Sequence, residues 1–191
     1  MSPRRLSCLT ALALPLAGCQ EHKATPPPEP VVVQAKDANG KVIAELRPLR
    51  PCRASVDGTE MIVGGPPILS QVGNTTWTGS TSENGTTYSR DSERIARIYP
   101  IRDPKSAAVL DMQGVAMARI TVAGDKAAVA DASTATIRSL TKLGSTISID
   151  APPLTVTGTD DLVLAALLTA PELVPEVRML AACERVLVKG S

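Results

Sequence analysis

Phenylalanine is absent from this chain of 191 residues, and Trp77, Tyr88 and Tyr99 are its only aromatic side chains. A core without rings must be built from Val, Ile, Leu, Ala and Met, which suits β-branched strands supported by one or two apolar helices. The same scarcity excludes the successive exposed rings on which single-stranded nucleic acid stacks. Charge of one sign is lacking too: 20 basic residues face 19 acidic ones, for a net charge of +1, so there is no basic footprint for nucleic acid. Histidine occurs once, as His22, outside the segment expected to fold, which removes Ser-His-Asp, Cys-His and His-bearing zinc sites from the domain. Gly64-Gly65 is followed by no Lys-Ser/Thr and is not a phosphate cradle, and Asp37-Ala38-Asn39-Gly40 lacks the ligand pattern of a calcium loop. No catalytic activity, cofactor or metal is therefore expected.

A long hydrophobic run is missing as well. A membrane-spanning helix needs roughly 20 apolar residues. Leu6 to Leu16 reaches about half that and is interrupted by Ser7, Thr10 and Pro15. With Arg4 and Arg5 before it and small residues after it, the segment has the layout of a secretory signal. Its end, Leu16-Ala17-Gly18-Cys19, resembles the lipobox of bacterial lipoproteins. That resemblance implies cleavage before Cys19, a diacylglycerol on its thiol and a third acyl chain on the new amine. Gln20, where lipoproteins retained at the inner membrane often carry Asp, implies sorting to the outer membrane with the domain facing the periplasm. Residues 1–18 are then a signal peptide, 19–30 a lipidated Cys with a Pro-rich tether, and 31–191 one β-rich periplasmic domain. Loss of the signal brings the net charge to about −1. Three acyl chains exceed the two signals that stable anchoring requires. The tether, with Pro26-Pro27-Pro28-Glu29-Pro30, is extended and semi-rigid and keeps the domain near the membrane.

Under that processing Cys8 leaves and Cys19 is acylated, so Cys52 and Cys183 are left as an even pair in an oxidising compartment, and a disulfide between them is expected. Closing a loop of more than 100 residues is worth about 4.7 kcal/mol in the chain-entropy picture. Two separately buried thiols are the alternative.

Along the domain, Val31-Val32-Val33 opens a strand, Asn39-Gly40 turns it, and Lys41 to Leu46 returns. Asp37, Gly40, Ala44 and Leu46 recur without a gap as Asp111, Gly114, Ala118 and Ile120, and in shortened form from Asp91 to Ile95-Ala96-Arg97-Ile98. These read as three related hairpins, whose outward Glu45, Arg97 and Arg119 could pair across strands. Further hairpins are expected around Asp57-Gly58, Glu83-Asn84-Gly85 and Gly124-Asp125. Ile137, Leu140 and Thr141 predict a short helix over Ser133 to Leu143, ending at Gly144. Ser145 to Ile149 follows as a strand. Thr159 is placed to cap an all-apolar helix, Leu162 to Leu168, with Asp160 and Asp161 in its first turn. After Pro175, the spacing of Met179, Ala182, Cys183 and Val186 puts Cys183 on the core face of a helix, though Val186-Leu187-Val188 could instead be a strand.

The fold expected is α+β: repeated antiparallel hairpins forming a barrel or sandwich, with two or three helices in the last third. The repeated turn-strand units and Leu162 to Leu168 resemble the tubby and scramblase-like barrels, in which a sheet wraps a hydrophobic helix; the segment after Pro171 departs from their pattern. The resemblance implies lipid recognition. Trp77 and Tyr88 lie on opposite arms of one hairpin and, with Arg90, are candidates for an exposed partner-binding patch; a cross-strand aromatic pair filling the core is the alternative. The leading expectation of function is a non-catalytic binding or structural module for an envelope protein, and the second is a lipid or small apolar ligand carrier.

Overall fold

A computed structural model of the chain describes residues 31–189 except Pro66 and Asn84. The expected signal segment, Cys19, His22 and the tether lie outside the described residues. Fourteen strands follow one another: β1 Val33–Asp37, β2 Val42–Arg47, β3 Cys52–Val56, β4 Thr59–Val63, β5 Ile68–Val72, β6 Thr75–Ser82, β7 Gly85–Arg90, β8 Glu93–Tyr99, β9 Ser106–Leu110, β10 Ala116–Ala123, β11 Lys126–Ala130, β12 Thr136–Leu143, β13 Thr146–Ile149 and β14 Leu154–Thr157. Two helices, α1 Leu162–Leu168 and α2 Pro175–Lys189, complete the described chain. Each strand pairs antiparallel with its sequence neighbour, and β14 pairs with β1. Only β4 and β5, the two ends of the sheet, lack a ladder between them, so the wall is a barrel closed everywhere but at one seam.

Alternation of apolar and polar residues produces this wall: in β3 Cys52, Ala54 and Val56 are buried while Arg53 is exposed and Ser55 half-buried, the period of a strand with one inward face. The inward faces need something to bury against, and the two helices supply it. All seven residues of α1 are buried, and α1 packs on β10, β11 and β12 while α2 packs on β2, β3, β4 and β8. The helices pack on each other inside the barrel, which is why α1 is apolar all round. Among the described residues no helix is long and apolar enough to cross a membrane. Cys52 on β3 and Cys183 on α2 are joined, with their Cα atoms 5.8 Å apart, so the disulfide ties the second helix to the wall.

The hairpin repeat is wider than the sequence reading supposed. Turns joining odd to even strands all lie at one rim, and six of the seven carry an aspartate: Asp37, Asp57, Asp91, Asp111, Asp131 and Asp150. In three, the Asp Oδ1 accepts the backbone N–H groups two and four residues on: Asn39 and Lys41, Gln113 and Val115, Ser133 and Ala135. The residue three places on is left-handed in each, Gly40 at φ 80°, Gly114 at 82° and Thr134 at 69°. Asp131 to Ala135 is therefore a third copy of the Asp37 turn, whereas Asp91-Ser92 makes a tighter two-residue turn with both residues left-handed.

Three expectations are corrected, and of two readings left open at the end of the chain one is selected. Ser133 to Leu143 is not helical: it contains the Asp131 turn and β12, whose inward residues are Arg138 and Leu140. The apparent helical spacing arose because Arg138, an inward residue, is charged and did not register as part of an apolar alternation. The cap of α1 is Asp161, not Thr159: Asp161 Oδ1 accepts from the N–H groups of Val163 and Leu164, while Thr159 Oγ1 accepts from that of Asp161. Val186 to Val188 continue α2. Glu45 pairs with Arg47 on its own strand, at 2.8 Å, and accepts from Gln34, since Arg97 and Arg119 lie on β8 and β10, far around the wall.

Candidate functional site: an open seam in the barrel wall

The proposed aromatic patch does not face solvent. Trp77 is 3% exposed and Tyr88 fully buried, because both stand at inward positions of β6 and β7. They are not directly opposed: Tyr88 faces Gly79 in register, where a β-carbon would come within 2.9 Å of Ile68 Cβ and 3.3 Å of the Tyr88 ring, so the missing side chain makes room for both. Arg90 is exposed at the rim and pairs with Glu93 at 3.0 Å. The three residues thus divide between core and rim and make no common surface.

Tyr88 belongs to a buried network. Its hydroxyl donates to Glu184 Oε2 at 2.7 Å, while Thr86 and Thr81 donate to Glu184 Oε1 at 2.8 and 3.1 Å. Burial and the facing Glu184 carboxylate push the Tyr88 phenol well above its ordinary value. Next along α2, Arg185 donates Nε and Nη2 to the two oxygens of Asp161, at 2.8 and 3.0 Å, and Nη1 to the carbonyl of Ile101. Arg138 donates to the Thr169 carbonyl at 3.0 Å and to Glu172 at 2.9 Å. The Glu184 and Arg138 networks tie a helix to the wall, the Arg185 network ties α2 to the cap of α1 and to the loop after β8, and both Glu184 oxygens are already engaged by donors. Their arrangement fastens the helices within the lumen. Sequence reasoning missed all three, since a Glu-Arg pair within an apolar helix gives no sign of what it faces.

The feature open to a partner is the seam. Its base is zipped: the Gly64 N–H donates to the Leu69 carbonyl at 2.8 Å, the reverse bond is 3.4 Å, and Ser70 Oγ donates to the Ile62 carbonyl at 2.7 Å. Beyond that point β4 and β5 part. Backbone groups alternate in direction along a strand. Since Gly64 and Leu69 point across the seam, so do those of Ile62, Glu60 and Gln71, which, apart from the Ile62 carbonyl held by Ser70, meet no opposing strand. A cleft of about 540 Å³ lies beside the gap, lined by β2 to β4 on one side and by Gln71, Val72 and Gly73 of the β5–β6 hairpin on the other. Register sets its outer surface into two rows. Arg47, Arg53 and Ile62 stand side by side in one; Glu45, Ser55 and Glu60 form the next. Arg47 and Arg53 are directly opposed, and like charges so placed repel. Gln34 and Arg47 bonding hold the Glu45 carboxyl below the usual carboxylate range. Ile62 and Leu69, at 53% and 51% exposure, flank the zipped base.

The class defined by these features is a fourteen-stranded antiparallel barrel with a helical pair in its lumen and one open seam. No known protein family, curated protein or solved structure matches this chain.

Proposed function

We propose that this chain is a non-catalytic binding module of the bacterial cell envelope. It is lipid-anchored through Cys19 at the periplasmic face of the outer membrane, and it captures an extended segment of an envelope protein as an added strand at the seam. The observation that carries the reading is the pair of open edges, Glu60 and Ile62 on β4 against Gln71 on β5, beside a cleft of alternating Arg and Glu. Unpaired strand edges are templates for another strand, with main-chain bonds giving affinity and side-chain pockets giving specificity. Here Arg47 and Arg53 suit acidic side chains at one set of alternate positions, and Glu45 and Glu60 suit basic ones at the next. Carriage of a lipid within the barrel has less support, because α1 and α2 occupy the lumen.

A photo-crosslinking residue at Ile62, in the native host, should yield a discrete adduct with an envelope protein, and the same residue at Ser148 on the outer wall should not. Gln71→Pro removes an N–H that no strand uses, so it should abolish the Ile62 adduct with little loss of stability. Adducts equal at Ile62 and Ser148, or indifferent to Gln71→Pro, would overturn the seam as the site.

A further inference from the structure

The two rims of the barrel differ in charge, and the chain enters at the basic one. Val31 leads into β1 at the rim that also carries the β2–β3, β8–β9, β10–β11 and β12–β13 loops. Arg50, Arg53, Arg102, Lys105, Lys126 and Lys142 stand in or beside these loops, against Glu83, Asp103, Asp125 and Asp160. Of the acids, Asp103 is engaged by the Lys105 N–H and the Ser106 hydroxyl, and Asp160 by Lys142 at 3.8 Å. Arg53, Arg102 and Lys126 make no ion pair among the described residues. Exposed apolar side chains are interspersed at the same rim: Val31 at 65%, Leu49 at 43%, Tyr99 at 47% and Leu143 at 60%. The far rim carries the six turn aspartates, which with Glu60 and Glu93 outnumber its cations Lys36, Lys41, Arg90, Arg94 and Arg178.

We infer that the entry rim docks on an anionic bilayer surface, its cations on lipid phosphates and its Tyr99, Leu49 and Leu143 at the headgroup level. The inference rests on the anchoring proposed above. A lipid on Cys19 leaves eleven residues before Val31, which at about 3.1 Å each hold the entry rim within roughly 35 Å of the surface. Within that reach, basic residues beside an anionic surface are attracted, while the far rim is repelled. Tyr at such a boundary keeps its ring in the apolar layer and its hydroxyl in water. The barrel would then stand upright with its seam running away from the membrane.

The test uses the lipidated full chain on vesicles, with a nitroxide on Ser145→Cys at the entry rim or on Gln113→Cys at the far rim. In phosphatidylcholine vesicles with about 30 mol% phosphatidylglycerol, the label at 145 should report headgroup depth and the label at 113 water. In pure phosphatidylcholine, or at about 0.5 M salt, the label at 145 should return to water while the chain stays bound. Arg102→Ser with Lys126→Ser should weaken docking roughly thirtyfold. A chain that floats with anionic vesicles while its 145 label stays in water overturns the docking alone. Headgroup depth that is the same on neutral vesicles also overturns it. A chain that floats with no vesicle overturns anchoring and docking together.

Discussion

Replacing Arg185 with Met tests whether the lumen is held as described. The guanidinium is 1% exposed and its partner Asp161 5%, so the substitution strands a buried carboxylate that still caps α1. Removing one partner of a buried pair costs about 3–5 kcal/mol, a large part of an ordinary stability of about 5–15 kcal/mol. Equilibrium urea unfolding of the full chain should show it: with a slope of about 2 kcal/mol per molar, the midpoint should fall by about 2 M. Adding Asp161→Asn removes the stranded charge and keeps a good cap. The double variant should therefore recover all but about 1 kcal/mol, the residue being the lost bond to the Ile101 carbonyl. A single variant costing less than about 1 kcal/mol, or a double variant as unstable as the sum of its parts, would refute the account of the pair.

Three further outcomes are expected. Cys52→Ala with Cys183→Ala opens a loop with a sequence separation of 131, which should cost about 5 kcal/mol on the chain-entropy estimate; an unchanged urea midpoint would contradict it. Glu45, Asp103, Asp131 and Asp150 all have depressed carboxyls, Glu45 chiefly through Gln34, Asp103 through the Lys105 N–H, Asp131 through the Ser133 hydroxyl and Asp150 through the Ser139 N–H. Depressed groups stabilise above their unfolded values, so stability should fall as pH drops below about 4, and Asp131→Asn should flatten that loss. Tyr88 is raised, so its protonated form is the stabilising one; in a Tyr99→Phe variant, tyrosinate absorbance above pH of about 10 should appear only together with unfolding.

Much of the wall was legible because strand alternation and turn chemistry are local. Asn39-Gly40, Asp57-Gly58 and Gly124-Asp125 each turn a hairpin where the sequence implies one, and the match of Asp37 to Asp111 is a real structural repeat. The third copy escaped because Thr134 stands where Gly40 and Gly114 do, and a left-handed threonine is rare. Cys183 and Cys52 were placed together by cysteine counting and one helical face. What local pattern could not supply is what depends on closure. Trp77 and Tyr88 point inward only because the hairpin is part of a wall around α2, and Glu184 is satisfied only by residues about a hundred positions away. The seam was illegible for the same reason: β4 and β5 read as ordinary strands, and only the order of the sheet makes them its two ends.

The seam is the central claim, and residue-resolved amide hydrogen exchange on the full chain tests it without a partner. The N–H groups of Glu60, Ile62 and Gln71 should exchange fast, while those of Gly64 and Leu69 at the zipped base and of the neighbouring β3 are protected. Slow exchange at Glu60, Ile62 and Gln71, matching β3, would mean that the barrel closes on itself and has no edge to offer.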